Sequence, residues 1–103
     1  MDMGMTKLIN KIISLNNRRT SMRLADSEWD ALHEICEHEN MSRNKLIECI
    51  ERTKEENLGL SCCTRLFILA YYRNNATLKK TSSQNLIQAL KVISNSQDAQ
   101  IEL

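Results

Sequence analysis

Arg19-Thr20-Ser21-Met22-Arg23-Leu24 is the stretch whose reading decides the fold of this chain. Thr20, Met22 and Leu24 alternate with Arg19, Ser21 and Arg23, apolar or small on one side and polar on the other. That period of two is the pattern of a half-buried strand. Asp26 then stands where a helix N-cap is expected, with Glu28 in the first turn at the positive end of the helix dipole. Trp29, Leu32, Ile35 and Cys36 recur at helical spacing, and the helix is expected to run to about Glu39. Asn40 is a plausible left-handed terminator. Ser42 is a second N-cap, opening a helix whose apolar side carries Leu46, Ile47, Cys49 and Ile50. Strand, helix, tight turn and helix therefore follow one another in quick succession.

Further on, the apolar pattern lapses at Lys54-Glu55-Glu56-Asn57, and Ser61 is a third N-cap candidate. From Cys62 to Arg73 the chain is apolar nearly all round, with Cys63, Leu66, Phe67, Ile68, Leu69, Ala70, Tyr71 and Tyr72. Such a helix is normally buried on more than one side, which in a small chain implies a partner subunit. Residues 74–82 read as a polar linker. A short amphipathic stretch, Ser83 to Ile93, carries Leu86, Ile87, Leu90 and Ile93, and the remainder reads as a frayed tail. The N-terminal segment is open to two readings. Leu8, Ile9, Ile12 and Ile13 fit a helical face, whereas Ile13 and Leu15 alternate toward Asn16-Asn17, which tolerate positive φ and suit a hairpin. The extended reading is the preferred one. The expected organisation is an N-terminal basic arm or extra strand over 1–17, a domain over 18–73, and a linker, short helix and tail over 74–103.

The chain has 103 residues, an apolar fraction of 42 % and a net charge of +1, which leaves room for one domain. No apolar run approaches a membrane span, and no signal-peptide core is recognisable, so a cytoplasmic location is expected. Without an export signal, Cys36, Cys49, Cys62 and Cys63 are not expected to form disulfides. His33, Cys36 and His38 are the one cluster with metal-ligand chemistry, but Cys36 falls on an apolar face and His38 does not; neither a metal nor a cofactor is expected. The charge is polarised. Residues 1–25 hold Lys7, Lys11, Arg18, Arg19 and Arg23 against Asp2 alone, whereas residues 26–40 hold six acids and no Lys or Arg. A basic segment of this kind is either a nucleic-acid footprint or a solvated arm.

One strand cannot satisfy its own backbone groups, and a strand with two helices is too small to bury much surface alone. Pairing the strand with its copy in a second subunit answers both needs. Arg19-Thr20-Ser21-Met22-Arg23-Leu24, then Trp29-Asp30-Ala31-Leu32, Met41-Ser42 and Leu46-Ile47, resemble the ribbon-helix-helix superfamily of the Met and Arc repressors. Leu60-Ser61 and Arg65 to Arg73 are similar to a bacterial subfamily with an extra C-terminal helix. The fold this implies is mainly α: a short N-terminal strand paired across an intertwined homodimer, two helices, and a third, buried helix. Met22, Leu24, Trp29, Leu46, Ile50, Leu66 and Phe67 are the expected dimer core, and a tetramer would also suit the apolar third helix.

The resemblance further implies a DNA-binding regulator, repressor-like, reading the major groove of double-stranded DNA with a two-stranded ribbon. Arg19, Ser21 and Arg23 are the expected base contacts, the arginines suiting bidentate pairing with guanine. Ser42, Arg43, Asn44 and Lys45, at the start of the second helix, are the expected phosphate contacts, although Ser42 is equally well explained as a cap alone. The alternative is a protein-interaction module on the same fold, antitoxin-like or an assembly adaptor. It is motivated by the near-neutral charge, the acidic first helix, and a C-terminal segment too short to be stable unless docked on a partner. A strand flanking Arg19–Leu24 would favour this alternative, because it makes the sheet wider than a two-stranded reader. No Gly-rich phosphate loop or catalytic triad pattern is present, and catalysis is not expected.

Overall fold

The computed structural model describes residues 7–77 and 82–94. Two antiparallel strands, Leu8–Ser14 (β1) and Arg19–Ala25 (β2), precede four helices: Asp26–Glu39 (α1), Arg43–Thr53 (α2), Leu60–Thr77 (α3) and Ser82–Val92 (α4). The alternating strand at Arg19 is therefore present, and the N-terminal segment takes the extended form. Within one chain β2 pairs with β1, in a hairpin that joins Ile9 to Leu24, Lys11 to Met22 and Ile13 to Thr20. Partners in an antiparallel pair share a face. Ile13, Met22 and Leu24 turn inward and are buried, while Asn10, Ile12, Ser14, Arg19, Ser21 and Arg23 form the outer, exposed face.

The hairpin turn differs from expectation. Leu15 N–H donates to Arg18 C=O at 2.8 Å, yet among the described residues Asn40 alone has a positive φ. Asn16 and Asn17 thus turn the chain without entering the left-handed region. Arg18 reaches Glu51 of α2 at 2.6 Å, which ties the turn to the helical layer.

Capping explains most of the helix boundaries. Asp26 is not the cap of α1 but its first residue; Ala25 occupies the N-cap position. Alanine has no side-chain acceptor, and instead the Glu28 carboxylate reaches back to the Ala25 N–H at 2.8 Å, half of a capping box. Asn40 terminates α1 with φ 58° and ψ 49°. The Met41 N–H donates to Cys36 C=O and the Asn40 N–H to Glu37 C=O, the Schellman pattern. Ser42 caps α2 by accepting the Lys45 N–H at 3.1 Å. Ser61 lies inside α3 rather than ahead of it, because the helix starts at Leu60. At its other end α3 continues to Thr77, through residues read as the start of a linker.

The core is assembled within one protomer. Ile13, Met22 and Leu24 from the hairpin meet Trp29, Leu32 and Ile35 of α1, Leu46, Ile47 and Ile50 of α2, and Cys63, Phe67 and Tyr71 of α3. Ala89 of α4 and Ile93 just after it complete the core, so α4 docks on its own chain. Of the expected apolar side, Ile93 is buried and Leu86 and Leu90 pack against the core, whereas Ile87 is exposed and Asn85 and Ala89 are inside. The Ile93 C=O also accepts the Glu55 N–H at 2.9 Å, pinning the end of α4 to the loop after α2. Six of the residues expected in a dimer core (Met22, Leu24, Trp29, Leu46, Ile50 and Phe67) are thereby buried without a partner, and Leu66 alone among that set remains exposed. Within one chain, β1, α3 and α4 supply part of the surface that the lone strand and two helices lacked.

Candidate nucleic-acid interface

The edge of β2 that faces away from β1 is set by the hydrogen-bond alternation of the hairpin. Leu15 bonds Arg18 at one end and the Asp26 N–H donates to Lys7 C=O at the other. By alternation, Thr20, Met22 and Leu24 bond β1, and the backbone groups of Arg19, Ser21 and Arg23 point to the second edge. The same three residues carry the outward side chains. One short strand thus offers a backbone edge open at Arg19 and Ser21 together with an exposed Arg-x-Ser-x-Arg face.

Arg65 of α3 borders that edge. Its Nε donates to both Glu28 carboxylate oxygens at 3.1 Å, and its Nη2 donates to the Arg23 C=O at 3.3 Å. Glu28 therefore closes the start of α1 and anchors the arginine that braces β2. Behind the strand, the Thr64 hydroxyl donates to the Met22 sulfur at 3.5 Å, which fixes α3 against the inner face. The outward arginines stand on a strand supported from behind and at its edge.

The second group of expected contacts belongs to a different element. Ser42, Arg43, Asn44 and Lys45 are all exposed at the start of α2. Ser42 uses its hydroxyl as a cap on Lys45, and the N–H groups of Arg43 and Asn44 precede the helical ladder. Trp29 connects this helix start to β1. Its indole N–H donates to the Ile9 C=O at 2.9 Å, with the Lys11 ammonium 5.4 Å and the Arg43 guanidinium 5.6 Å from its rings. The tryptophan is buried, as expected of a core anchor, and it also brackets two cations beside the strand. The structure brings Arg43 of this group, with Lys11 of β1, to the Trp29 ring, and places the strand residues on the outer face of β2.

Sequence reasoning missed Asn10, Ile12 and Ser14. They lie across from Arg23, Ser21 and Arg19 on the same exposed face, and Ile12 is 53 % exposed. The sequence of β1 carries no clear signal of this face, because Leu8-Ile9, Asn10-Lys11 and Ile12-Ile13 run in pairs rather than alternating, and the register that aligns these residues with the arginines is a property of the folded hairpin. Neither strand contains an acidic residue, so Arg19 and Arg23 set the sign of the face.

Other chemistry is accounted for structurally. His33 pairs with Glu37 at 3.3 Å, and His38 lies 3.0 Å from the Tyr71 hydroxyl. No group of three metal-ligating side chains converges among the described residues. Burial pushes the Cys36 and Cys63 thiols above their ordinary value, with Arg43 opposing the effect at Cys36. Both behave as small apolar residues. No described helix is long and apolar enough to cross a membrane.

A family model described as "ribbon-helix-helix domain" matches residues 8–72. The chain belongs to the ribbon-helix-helix family. The match opens on the first residue of β1, so the hairpin lies within the region this ribbon-helix-helix protein shares with its family, and α4 lies beyond it. No curated protein and no solved structure matched the chain.

Proposed function

We propose that this ribbon-helix-helix protein is a DNA-binding, repressor-like regulator of the cytoplasm, acting as a homodimer through the open edge of β2. The observation that carries the reading is the coincidence of that edge with the exposed Arg19, Ser21 and Arg23. Antiparallel pairing of two β2 edges about Ser21 sets Arg19 of one copy opposite Arg23 of the other. Like charges directly opposite are destabilising on their own, and a polyanion laid over them removes the penalty. The arginines then suit the O6 and N7 of guanine, each pair discriminating by about 1–3 kcal/mol. Ser42, Arg43, Asn44 and Lys45 on each flank supply a helix N-terminus and cations for phosphate.

A second reading, a protein-interaction module, is favoured by one specific observation: β1 flanks β2, so a dimer built on the open edge has a four-stranded sheet. The exposed Leu66 and Leu69 on α3 and Ile87 and Val92 on α4 also suit a protein partner. Fluorescence anisotropy with random-sequence duplex, across a salt series, separates the two. A DNA reader binds at low salt with an affinity that falls steeply as salt rises, from counterion release. Arg19→Ala with Arg23→Ala is expected to weaken binding at least about tenfold and to flatten base preference. Absence of binding by the unaltered chain at low salt decides for the interaction module.

A further inference from the structure

We infer that β1 is a groove-wall strand, seating its outer face on the sugar-phosphate walls that border the groove read by β2. The inference rests on the DNA reading above and deepens it. Strands in a sheet are about 4.8 Å apart, so four of them in the order β1-β2-β2-β1 span about 14 Å between the outer axes. The major groove is about 12 Å wide. The two central strands lie over the groove floor, and each β1 lies over a wall. There the groups within reach are phosphate oxygens and deoxyribose, not base edges.

The residues on that face match those groups. Asn10 and Ser14 are exposed hydrogen-bonding side chains of the kind that contact phosphate. Ile12 and Leu8, 53 % and 52 % exposed, present apolar surface suited to deoxyribose. These four stand across from Arg23, Arg19, Ser21 and Ala25, so their spacing relative to the reading residues is fixed by the ladder. No acidic side chain from either strand lies on this face to repel a phosphate. The far side of β1 is held by the Trp29 bond to Ile9, which keeps the strand from swinging out of the way.

A gain of function tests this without threatening the fold. Ile12→Lys places a cation over each wall. The dimer should bind duplex more tightly at low salt, with a log-log salt slope steeper by about 2, because two more phosphates are neutralised. Ile87→Lys, on α4, adds the same charge and should leave that slope unchanged. In the converse experiment, Asn10→Ala with Ser14→Ala should weaken binding about tenfold or more, equally on selected and random duplex, while the slope and the selected sequence stay the same. An Ile12→Lys slope equal to that of the unaltered chain overturns the inference, as does a change of base preference in the Asn10/Ser14 variant. If Ile12→Lys instead abolishes capture of a protein partner and leaves DNA binding as it was, the face is a protein-docking surface and the inference fails. Failure of the unaltered chain to bind DNA overturns the parent reading itself.

Discussion

Replacing Trp29 with phenylalanine should loosen the hairpin from the helices. The indole is 6 % exposed, donates to the Ile9 C=O at 2.9 Å, and lies 5.4 Å and 5.6 Å from the cations of Lys11 and Arg43. Phenylalanine keeps an aromatic ring but has no N–H, so one hydrogen bond is lost, a net cost of about 1 kcal/mol. Its smaller face weakens two cation–π contacts, each worth about 0.5–1 kcal/mol at partly exposed sites, and the reduced volume leaves a gap. The sum is about 2 kcal/mol, against roughly 3–5 kcal/mol for Trp29→Ala. In a domain of this size that corresponds to a fall in Tm of about 10 °C, measured by far-ultraviolet circular dichroism. The structure adds a spatial signature. Hydrogen exchange should accelerate first at the β1 amides of Ile9 and Lys11, ahead of those in α1 and α2, because the lost contacts tie that strand down. A cost below about 0.5 kcal/mol, or exchange that accelerates uniformly through the chain, would refute the claim that Trp29 is the hairpin's anchor.

Two further outcomes follow from local geometry. Burial, with the hydrogen bond to Glu34 and its negative charge, pushes the Tyr72 phenol from 10.0 to about 12. The folded value exceeds the unfolded one, so Tyr72's contribution to stability is complete below pH 10 and is lost as pH rises toward about 12. Phenolate absorbance should show the delayed ionisation, Glu34→Gln should bring it earlier, and an ordinary titration near 10 would count against the contact. Asn40 holds φ 58° and ψ 49°, a conformation glycine accepts freely and β-branched residues resist. Asn40→Gly should change stability little and Asn40→Val should lower it by about 1–2 kcal/mol in urea titrations; equal effects would contradict the left-handed cap.

How much of this was legible depends on what each feature needs. The alternation of Arg19 to Leu24 states its own faces, because a strand's side chains alternate whatever surrounds them. Ser42 and Asn40 were legible for a similar reason: a cap and a left-handed terminator are local chemistry. Ala25 was not, since the group that closes α1 is a carboxylate three residues later, and Asp26 offered a more familiar cap. The hairpin turn was read from what Asn16 and Asn17 tolerate, whereas the structure asks for no positive φ there. Tyr71 and Tyr72 fit the expected packing on α3, but their hydroxyls also bond Glu39 at 2.6 Å and Glu34 at 2.7 Å, contacts that sequence separation concealed.

The most consequential difference concerns the need for a partner. Sequence reasoning took a lone strand with two open edges and concluded that a second chain must cover it. In the folded chain β1 covers one edge, while α3 and α4 add to the core, so part of what called for a dimer is met within one chain. What still asks for one is narrower: the backbone groups of Arg19 and Ser21 on the second edge, beside the Arg65 brace at Arg23. An uncovered edge invites pairing, and natural sheets usually blunt it with charge or cover. Here the outward arginines blunt it in the absence of a counter-charge, since pairing two copies crowds four guanidinium groups. If the proposed function holds, association and DNA binding are coupled through the same side chains. Duplex should therefore promote the dimer, and salt, by screening the arginines, should ease self-association even as it weakens DNA binding. Opposite salt trends in sedimentation and in anisotropy are the mark of that coupling, and parallel trends would mean that the edge and the reading face act independently.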